Sequence, residues 1–321
     1  MQQAPRIAIY CKPVYKVWIV VFTAYYACGM EFILKISQIH HDKKQSLSFE
    51  IFPPKKEEDF KNIDATLEIL CDCRPDYISV TFGAGGSSNN NKTIQLARKI
   101  KEKYHVEPVV HLTCLCYNRA EIDEFVRELT AEGIENILAL RGDRNPDVPA
   151  KEDFAHASDL IKYLRATTGD RFCIAGACYP DVHPETENRV DDINNLKIKT
   201  DAGADILISQ LFFDNDTFLQ FVSDCRRARI EVPIVPGIMP CINAAQIQRM
   251  LTMCGAKFPE RFRKLIRKYG DNKDALFDAG MAYCQSQIIE LLASDVDGVH
   301  LYTMNNVKVA KRLTEGIKNI I

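Results

Sequence analysis

The sequence is poor in the features that mark the commoner cofactor, metal and membrane folds, and each absence removes a class of protein. Its 12 cysteines include no CxxC pair; they fall as CDC (71–73), CLC (114–116) and singles. Such spacing is not that of a zinc or iron–sulfur site. Cysteine inside an apolar run behaves as a small hydrophobe, so a reducing, cytoplasmic compartment is expected. No GxGxxG follows the first strand-like run, which ends in FPPK, and the glycine-rich GAGGSS (83–88) follows the second. A Rossmann dinucleotide site is therefore disfavoured. With 41 basic and 43 acidic residues and a net charge of -2, the basic excess of a nucleic-acid binder is missing, and no anionic membrane partner is expected.

A run of about 20 apolar residues, the length a spanning helix needs, is also lacking. The nearest approach, Val17 to Cys28, follows Arg6, Lys12 and Lys16 in the manner of a signal peptide, but no A-x-A-like cleavage site succeeds it. Met30, opening MEFILK, is the plainer start. Residues 1–34 are set aside as an atypical N-terminal extension, and 35–321 are expected to form one domain.

What the chain does have is alternation. Short apolar or β-branched runs recur at LSFEIF (47–52), YISVTF (77–82), PVVHLT (108–113), NILALR (136–141), FCIAGAC (172–178), DILISQ (205–210), VPIVPG (232–237) and GVHLYT (298–303). Between them lie segments of helical period. In 119–132, Ile122, Phe125, Val126 and Leu129 recur at intervals of three and four and so share one face. Strand–helix alternation implies parallel strands with helices outside. Eight units predict a closed (β/α)8 TIM barrel, with extra helices in the long 244–292 segment before the last strand.

Barrel interiors are filled by apolar side chains and their chemistry sits at the C-terminal ends of the strands. Those ends offer Glu50, Thr81, His111 with Thr113, Arg141 with Asp143, Tyr179, Gln210 and Tyr302. Singly, each has a bland explanation: Asp143 as a turn residue, His111 as a core histidine bonded to backbone, Gln210 as a partner for a strand end. Glu50 resists one, because a buried carboxylate without a partner is disfavoured and escapes by a raised pKa that keeps it protonated. That is the state a general acid requires. Pro53 and Pro54 stiffen the strand exit beside it. A second cluster, YPDVHPE (179–185), precedes a helix carrying Asp192, Asn195 and Lys199 at spacings of three and four. This is either a solvated helix face or one wall of a groove for a phosphate-bearing ligand, with Lys199 as the point charge.

In order along the chain, SFEIFPPK, SVTFGAGGS, HLTC, LALRGD, YPDVHPE, LKIKTDAGAD, QLFFD, PGIMP and HLYTMN resemble the methylenetetrahydrofolate reductases, from about Lys35 to the C-terminus. The resemblance implies a TIM barrel that binds FAD and reduces 5,10-methylenetetrahydrofolate to 5-methyltetrahydrofolate with NADH or NADPH, serving one-carbon metabolism and methionine biosynthesis. It implies Glu50 as general acid, Asp143 as the carboxylate near the flavin that also meets the pterin, and Gln210, Gln246 and Tyr302 as further substrate contacts. For FAD it implies Thr81, Ala84, His111, Arg141, Gly142, Asp143, Ala157, Tyr179, His183, Asp192, Asn195 and Lys199. Four positions depart from the family pattern: Asp181, where glutamate is common; His156, where tyrosine is usual; and Asn306 and Ile198, where members carry arginine. A homo-oligomer is expected, a partner electron-transfer subunit stays open as donor, and the family's additional eukaryotic regulatory domain is not expected. The rivals are a pterin-binding methyltransferase barrel without flavin and a non-catalytic subunit of a one-carbon complex.

Overall fold

A computed structural model describes residues 35–54, 58, 60, 63–82, 90–144, 148–254 and 257–321; the expected start at Met30 and Ala84 lie outside them. The elements run α1 (Ile36–Asp42), β1 (Ser46–Ile51), α2 (Ile63–Asp72), β2 (Tyr77–Val80), α3 (Asn90–Tyr104), β3 (Glu107–Thr113), α4 (Arg119–Ala131), β4 (Asn136–Leu140), α5 (Ala157–Thr168) and β5 (Cys173–Cys178). They continue as α6 (Arg189–Asp201), β6 (Ile206–Ser209), α7 (Asn215–Arg227), β7 (Ile234–Val235), β8 (Gly237–Ile238), α8 (Ala244–Cys254), α9 (Glu260–Tyr269), α10 (Lys273–Ala293), β9 (Gly298–Tyr302) and α11 (Val307–Ile317).

Every strand pairing is parallel, and the order around the sheet is β7-β6-β5-β4-β3-β2-β1-β9-β8. The expected seventh strand is therefore two pieces, β7 and β8, split at Pro236. Proline has no N–H to give a ladder, and its carbonyl instead accepts from His300 N at 2.9 Å. Because β7 pairs with β6 and β8 with β9, the split strand closes the barrel. The (β/α)8 expectation and the extra helices before the last strand, α8 to α10, are both borne out.

Side-chain alternation separates two cores. Outward residues such as Leu47, Phe49, Ile51, Ile78 and Val80 pack with the helices, where Ile122, Phe125 and Leu129 of α4 are buried as their spacing predicts. Asn118 starts that helix by accepting from Glu121 N at 2.9 Å, while the Glu121 carboxylate accepts from Asn118 N at 2.7 Å. Such a capping box contributes about 1 kcal/mol. Inward residues from β2 to β7, among them Tyr77, Val109, Leu138, Ala175, Ile206, Ile208 and Val235, form the barrel interior.

Two features differ from expectation. Helix α1 is short, with only Ile36 and Ile39 as apolar contacts, yet it closes the N-terminal end of the barrel. Both isoleucines are buried against the interior cluster, and Ile36 N donates to Asn136 Oδ1 at 2.8 Å. Burying two such side chains contributes roughly 2 kcal/mol each. The second difference is that the interior is not wholly apolar. Ser46, Ser48, Ser79 and His300 are fully buried beside the fully buried Tyr77, well below the C-terminal rim.

Candidate active site

A cleft of about 750 Å³ opens at the C-terminal ends of the strands, within the size range of small-molecule sites. Glu50, His111, Arg141, Gly142, Asp143 and Tyr179 line it, as do Ala157, His183, Asp192, Asn195, Lys199, Gln210 and Tyr302. The structure thus brings together almost all of the residues singled out in the sequence. Thr81 does not line this cleft; its backbone serves the sheet edge, donating to Ile51 O and accepting from Thr93 Oγ1. Gln246 also lies outside the lining, its Oε1 accepting from Ile242 N at 3.3 Å at the start of its own helix.

Glu50 is in different company from that expected. Its side chain is 21% exposed rather than enclosed, and its Oε2 lies 3.5 Å from His111 Nε2 and 3.9 Å from His300 Nε2. The inward turn that alternation assigns to Ser46, Ser48 and Glu50 brings the carboxylate to these two imidazoles. Burial pushes His111 below its ordinary value, against the opposing pull of Glu50, so its imidazole is neutral at pH 7. His111 Nε2 is buried and has no hydrogen-bond partner among the described residues. Buried ring nitrogens without a partner are exceptional in folded proteins, and this one lies at the edge of the cleft.

The backbone holding Glu50 is fixed from the last strand. Thr303 Oγ1 donates to Glu50 O at 2.9 Å, and the Asn305 amide clamps Phe52, accepting from its N at 3.1 Å and donating to its O at 2.9 Å. Met304 and Asn305 make this reach with φ of 52° and 56°, a left-handed conformation that Asn tolerates and Met does not favour. The proline exit is thus locked by the β9 loop.

The opposite wall is built on β4, β5 and α6. The Arg141 guanidinium is paired with both oxygens of Glu185 at 2.5 and 2.7 Å and donates through Nε to Gly142 O. Sequence reasoning quoted Glu185 within YPDVHPE without a role, since its partner lies 44 residues away. The bond from Arg141 draws the Glu185 carboxyl down to about 2. Depressed in the folded state, it favours the folded loop at pH above its ordinary 4.5, and that contribution erodes as pH falls through about 2. The loop is therefore latched throughout the neutral range. His183 packs edge-on to Tyr179 at 4.5 Å and accepts from Glu185 N at 3.1 Å.

Asp192, Asn195 and Lys199 face the cleft together, which decides for the groove wall over the solvated face. The Lys199 ammonium donates to Ala177 O, and burial pushes its pKa down. Its stem crosses β5 at Gly176, where a Cβ would lie 2.9 Å from Lys199 Cδ. Of the four departures from the family pattern, His156 and Ile198 line the cleft. Asp181 lies near Lys257 N at 3.5 Å, and Asn306 caps α11 by accepting from Lys308 N and Val309 N.

Cys71, Cys73, Cys114, Cys116, Cys173, Cys178, Cys225, Cys241 and Cys284 carry free thiols; burial raises those of Cys71, Cys114, Cys173 and Cys225 to about 12, which makes them poor nucleophiles. Among the described residues no helix is long and apolar enough to cross a membrane.

A closed parallel barrel with a carboxylate and the His111 imidazole at its C-terminal rim, His300 beneath that carboxylate and a basic wall opposite defines a TIM-barrel protein with a cleft at that rim. The family model described as methylenetetrahydrofolate reductase matches residues 35–318, and the chain belongs to that family. An Arabidopsis thaliana relative, methylenetetrahydrofolate reductase (NADH) 1, is 36% identical over 88% of this chain and 50% of its own length. The 5,10-methylenetetrahydrofolate reductase of Pectobacterium carotovorum is 34% identical over 83% of this chain and 87% of its own, and that of Escherichia coli 32% identical over 83% and 88%. The chain spans about half the length of its plant relatives. Among solved structures, a Clostridium thermocellum protein said to bind two copies of 5-methyl-5,6,7,8-tetrahydrofolic acid aligns with a TM-score of 0.64 at 16% identity, covering 88% of this chain and 99% of that one. A tryptophan synthase structure from M. tuberculosis aligns at 0.51 and 12% identity over 90% and 100%. At such identities these two likenesses concern the fold alone.

Proposed function

We propose that this chain reduces 5,10-methylenetetrahydrofolate to 5-methyltetrahydrofolate, with NADH or NADPH as hydride donor and FAD as carrier, within one-carbon metabolism. The observation that carries this reading is Glu50, held at the rim of the cleft between two imidazoles. In this role Glu50 protonates a bridging nitrogen of the folate, opening the five-membered ring to an iminium that accepts hydride. The cleft residues fit a flavin dinucleotide. His111 offers an unpartnered ring nitrogen, Arg141 and Lys199 offer positive charge for a diphosphate, and Tyr179 offers an aromatic surface. When bound, the flavin supplies the hydride-carrying chemistry, taking hydride from the nicotinamide and passing it to the folate.

Each chain residue then has a physical task. Asp143 and Gln210, which follow β4 and β6 on either side of β5, supply one carboxyl group and one amide that both donates and accepts. That pair suits a site that must hold a nicotinamide and a pterin in turn. The Gln210 carbonyl oxygen already accepts from Leu211 N at 2.9 Å, which leaves its NH2 to face the cleft. Tyr302, directly across from Glu50 in the sheet, is held by its bond to Ser209 O at 2.7 Å.

The deciding experiment is an absorbance spectrum of the purified protein followed by anaerobic titration with NADH and with NADPH. A flavin spectrum bleached by one of them and restored by 5,10-methylenetetrahydrofolate is expected. A colourless protein that cannot be reconstituted with FAD would favour the pterin-binding methyltransferase barrel instead.

The basic wall gives a second prediction. Lys199→Met keeps the stem over Gly176 and removes the charge, so FAD affinity should fall about tenfold or more, the scale of one charge-assisted hydrogen bond. Equilibrium dialysis checks it, and equal affinity in variant and parent would leave Lys199 only its structural bond to Ala177 O.

A further inference from the structure

A TIM-barrel interior is ordinarily packed with branched apolar side chains, yet His300, in the middle of β9, is a fully buried imidazole. Its ring stacks on Tyr77 at 6.3 Å and meets Tyr302 edge-on at 5.3 Å. A phenylalanine would make both contacts, so packing accounts for the ring and leaves its two nitrogens to be explained.

Nδ1 lies 2.8 Å from Ser48 Oγ, and the same hydroxyl is placed to donate to Val299 O at 3.4 Å. Nε2 lies 3.4 Å from Ser79 Oγ and 3.9 Å from Glu50 Oε2. A serine hydroxyl has a single proton to give and lone pairs that accept. With the ring proton on Nε2, Ser48 would give its proton to Nδ1 and forgo Val299 O. With the ring proton on Nδ1, Ser48 accepts from the imidazole and donates to Val299 O, so both contacts are made. The hydrogen-bond network thus selects the Nδ1–H tautomer. Nε2 is then a lone pair that only a donor can meet, either the Ser79 hydroxyl or a protonated Glu50. At 3.9 Å the Glu50 contact is longer than a hydrogen bond. It acts through charge, strengthened by the low dielectric of the interior: a lone pair repels a carboxylate and attracts a carboxyl O–H.

We propose that His300 is a positioning residue for the acid: fixed by Ser48 with its proton on Nδ1, it presents the Nε2 lone pair to Glu50 Oε2 and holds the proton on Glu50 until the folate nitrogen takes it. The inference rests on the reading of Glu50 as the acid in folate reduction. No proton passes through the ring. The proton leaves Glu50 for the folate nitrogen, and a solvent acid entering the cleft restores it to the carboxylate.

The titratable neighbours are few. Glu50 faces His111 of β3, whose Nε2 lies 3.5 Å from the same oxygen, and His300 and Tyr302 of β9. His300 faces Glu50, His111, Tyr77 and Tyr302. Arg141 and Asp143 line the same cleft.

The test has two arms, both on the flavin-loaded protein. In the first, 15N shifts of the histidine ring nitrogens, with His300 assigned through bonds from its own backbone, report the tautomer directly. A protonated Nδ1 and a bare Nε2 are expected at neutral pH. The second arm is Ser48→Ala, which removes the acceptor of Nδ1–H and lets the ring proton move to Nε2, where it favours the carboxylate. Reduction of the flavin by nicotinamide, which needs no proton from Glu50, should match the parent. Oxidation by 5,10-methylenetetrahydrofolate should match at acid pH, begin its alkaline fall about one pH unit lower and run about tenfold slower on that limb, the scale on which a donor turned toward a carboxylate favours its ionised form. A merely structural Ser48 would slow both half-reactions at every pH. That result, superimposable folate profiles, or a parent ring protonated on Nε2 would each overturn the proposal. The first arm needs no variant, so it decides the matter if Ser48→Ala fails to fold. A parent flavin that the folate does not oxidise at any pH would sink the functional assignment itself, a result distinct from a wrong tautomer or an unmoved limb.

Discussion

Replacing Glu50 by glutamine is expected to leave a flavin-binding protein that nicotinamide still reduces, yet to slow hydride transfer to the folate by ~10² or more, the usual worth of a positioned general acid. The amide keeps the shape and some hydrogen bonding of the carboxyl but has no acidic proton to give. The fold should tolerate it, because the side chain is 21% exposed and, among the described residues, makes no ion pair with a permanently charged group. Its neighbours are His111, which burial keeps neutral near pH 7, and His300. Stopped-flow absorbance separates the halves: one syringe of reduced protein against folate, another of oxidised protein against NADH or NADPH. Undiminished folate turnover in Glu50→Gln would remove Glu50 from the chemistry and with it the observation on which the functional reading rests. Equal loss in both halves would instead indicate a disturbed flavin site.

The fold was largely legible because the outer face of each strand and the inner face of each helix bury against one another, which writes a strong period into the sequence. Strand boundaries came within about two residues of those observed, except where Pro236 divides β7 from β8. Helix α1 was missed because a seven-residue segment with two buried isoleucines and no capping side chain carries almost no periodic signal. The rim was legible for a different reason: polar residues at the ends of apolar runs stand out. The deeper polar groups were legible only on β1, where alternation sets Ser46 and Ser48 on the face of Glu50; that Ser79 and His300 join them depends on the pairing of β1 with β2 and β9. The Arg141–Glu185 pair needed the folded chain, because nothing local joins two residues on β4 and the β5 loop. The environment of Glu50 illustrates the limit most clearly. Its inward direction follows from the sequence, whereas the two imidazoles beside it come from β3 and β9, and only barrel closure brings them there.

That closure has a vulnerable point at Gly298, the first residue of β9, and Gly298→Ala is expected to destabilise the protein by about 3 kcal/mol or more. Gly298 pairs with Ser46 across the β1–β9 seam and has φ +138°, a conformation that L side chains rarely adopt. A Cβ there would lie 2.4 Å from Ser46 O and Ser46 Oγ and 2.6 Å from Ser46 N. Two of those three atoms are backbone of a central parallel strand, so relief requires moving the seam itself rather than turning a side chain. A loss of that size lowers the melting temperature by roughly 4 °C or more in a chain of this length, and a parental melting curve would contradict the account. The same seam sets the chemistry. His300 and Tyr302 follow Gly298 at alternate positions and pair with Ser48 and Glu50 in register. A shift near 1 Å at Gly298 would therefore carry His300 away from the carboxylate it underlies. Displacements of that size in a catalytic array cost about 10² in rate. At a temperature where the variant is still folded, its folate half-reaction should fall by more than its flavin reduction. Equal rates in both halves would mean that the seam adjusts without moving His300, and that closure and chemistry are less tightly joined than the register implies.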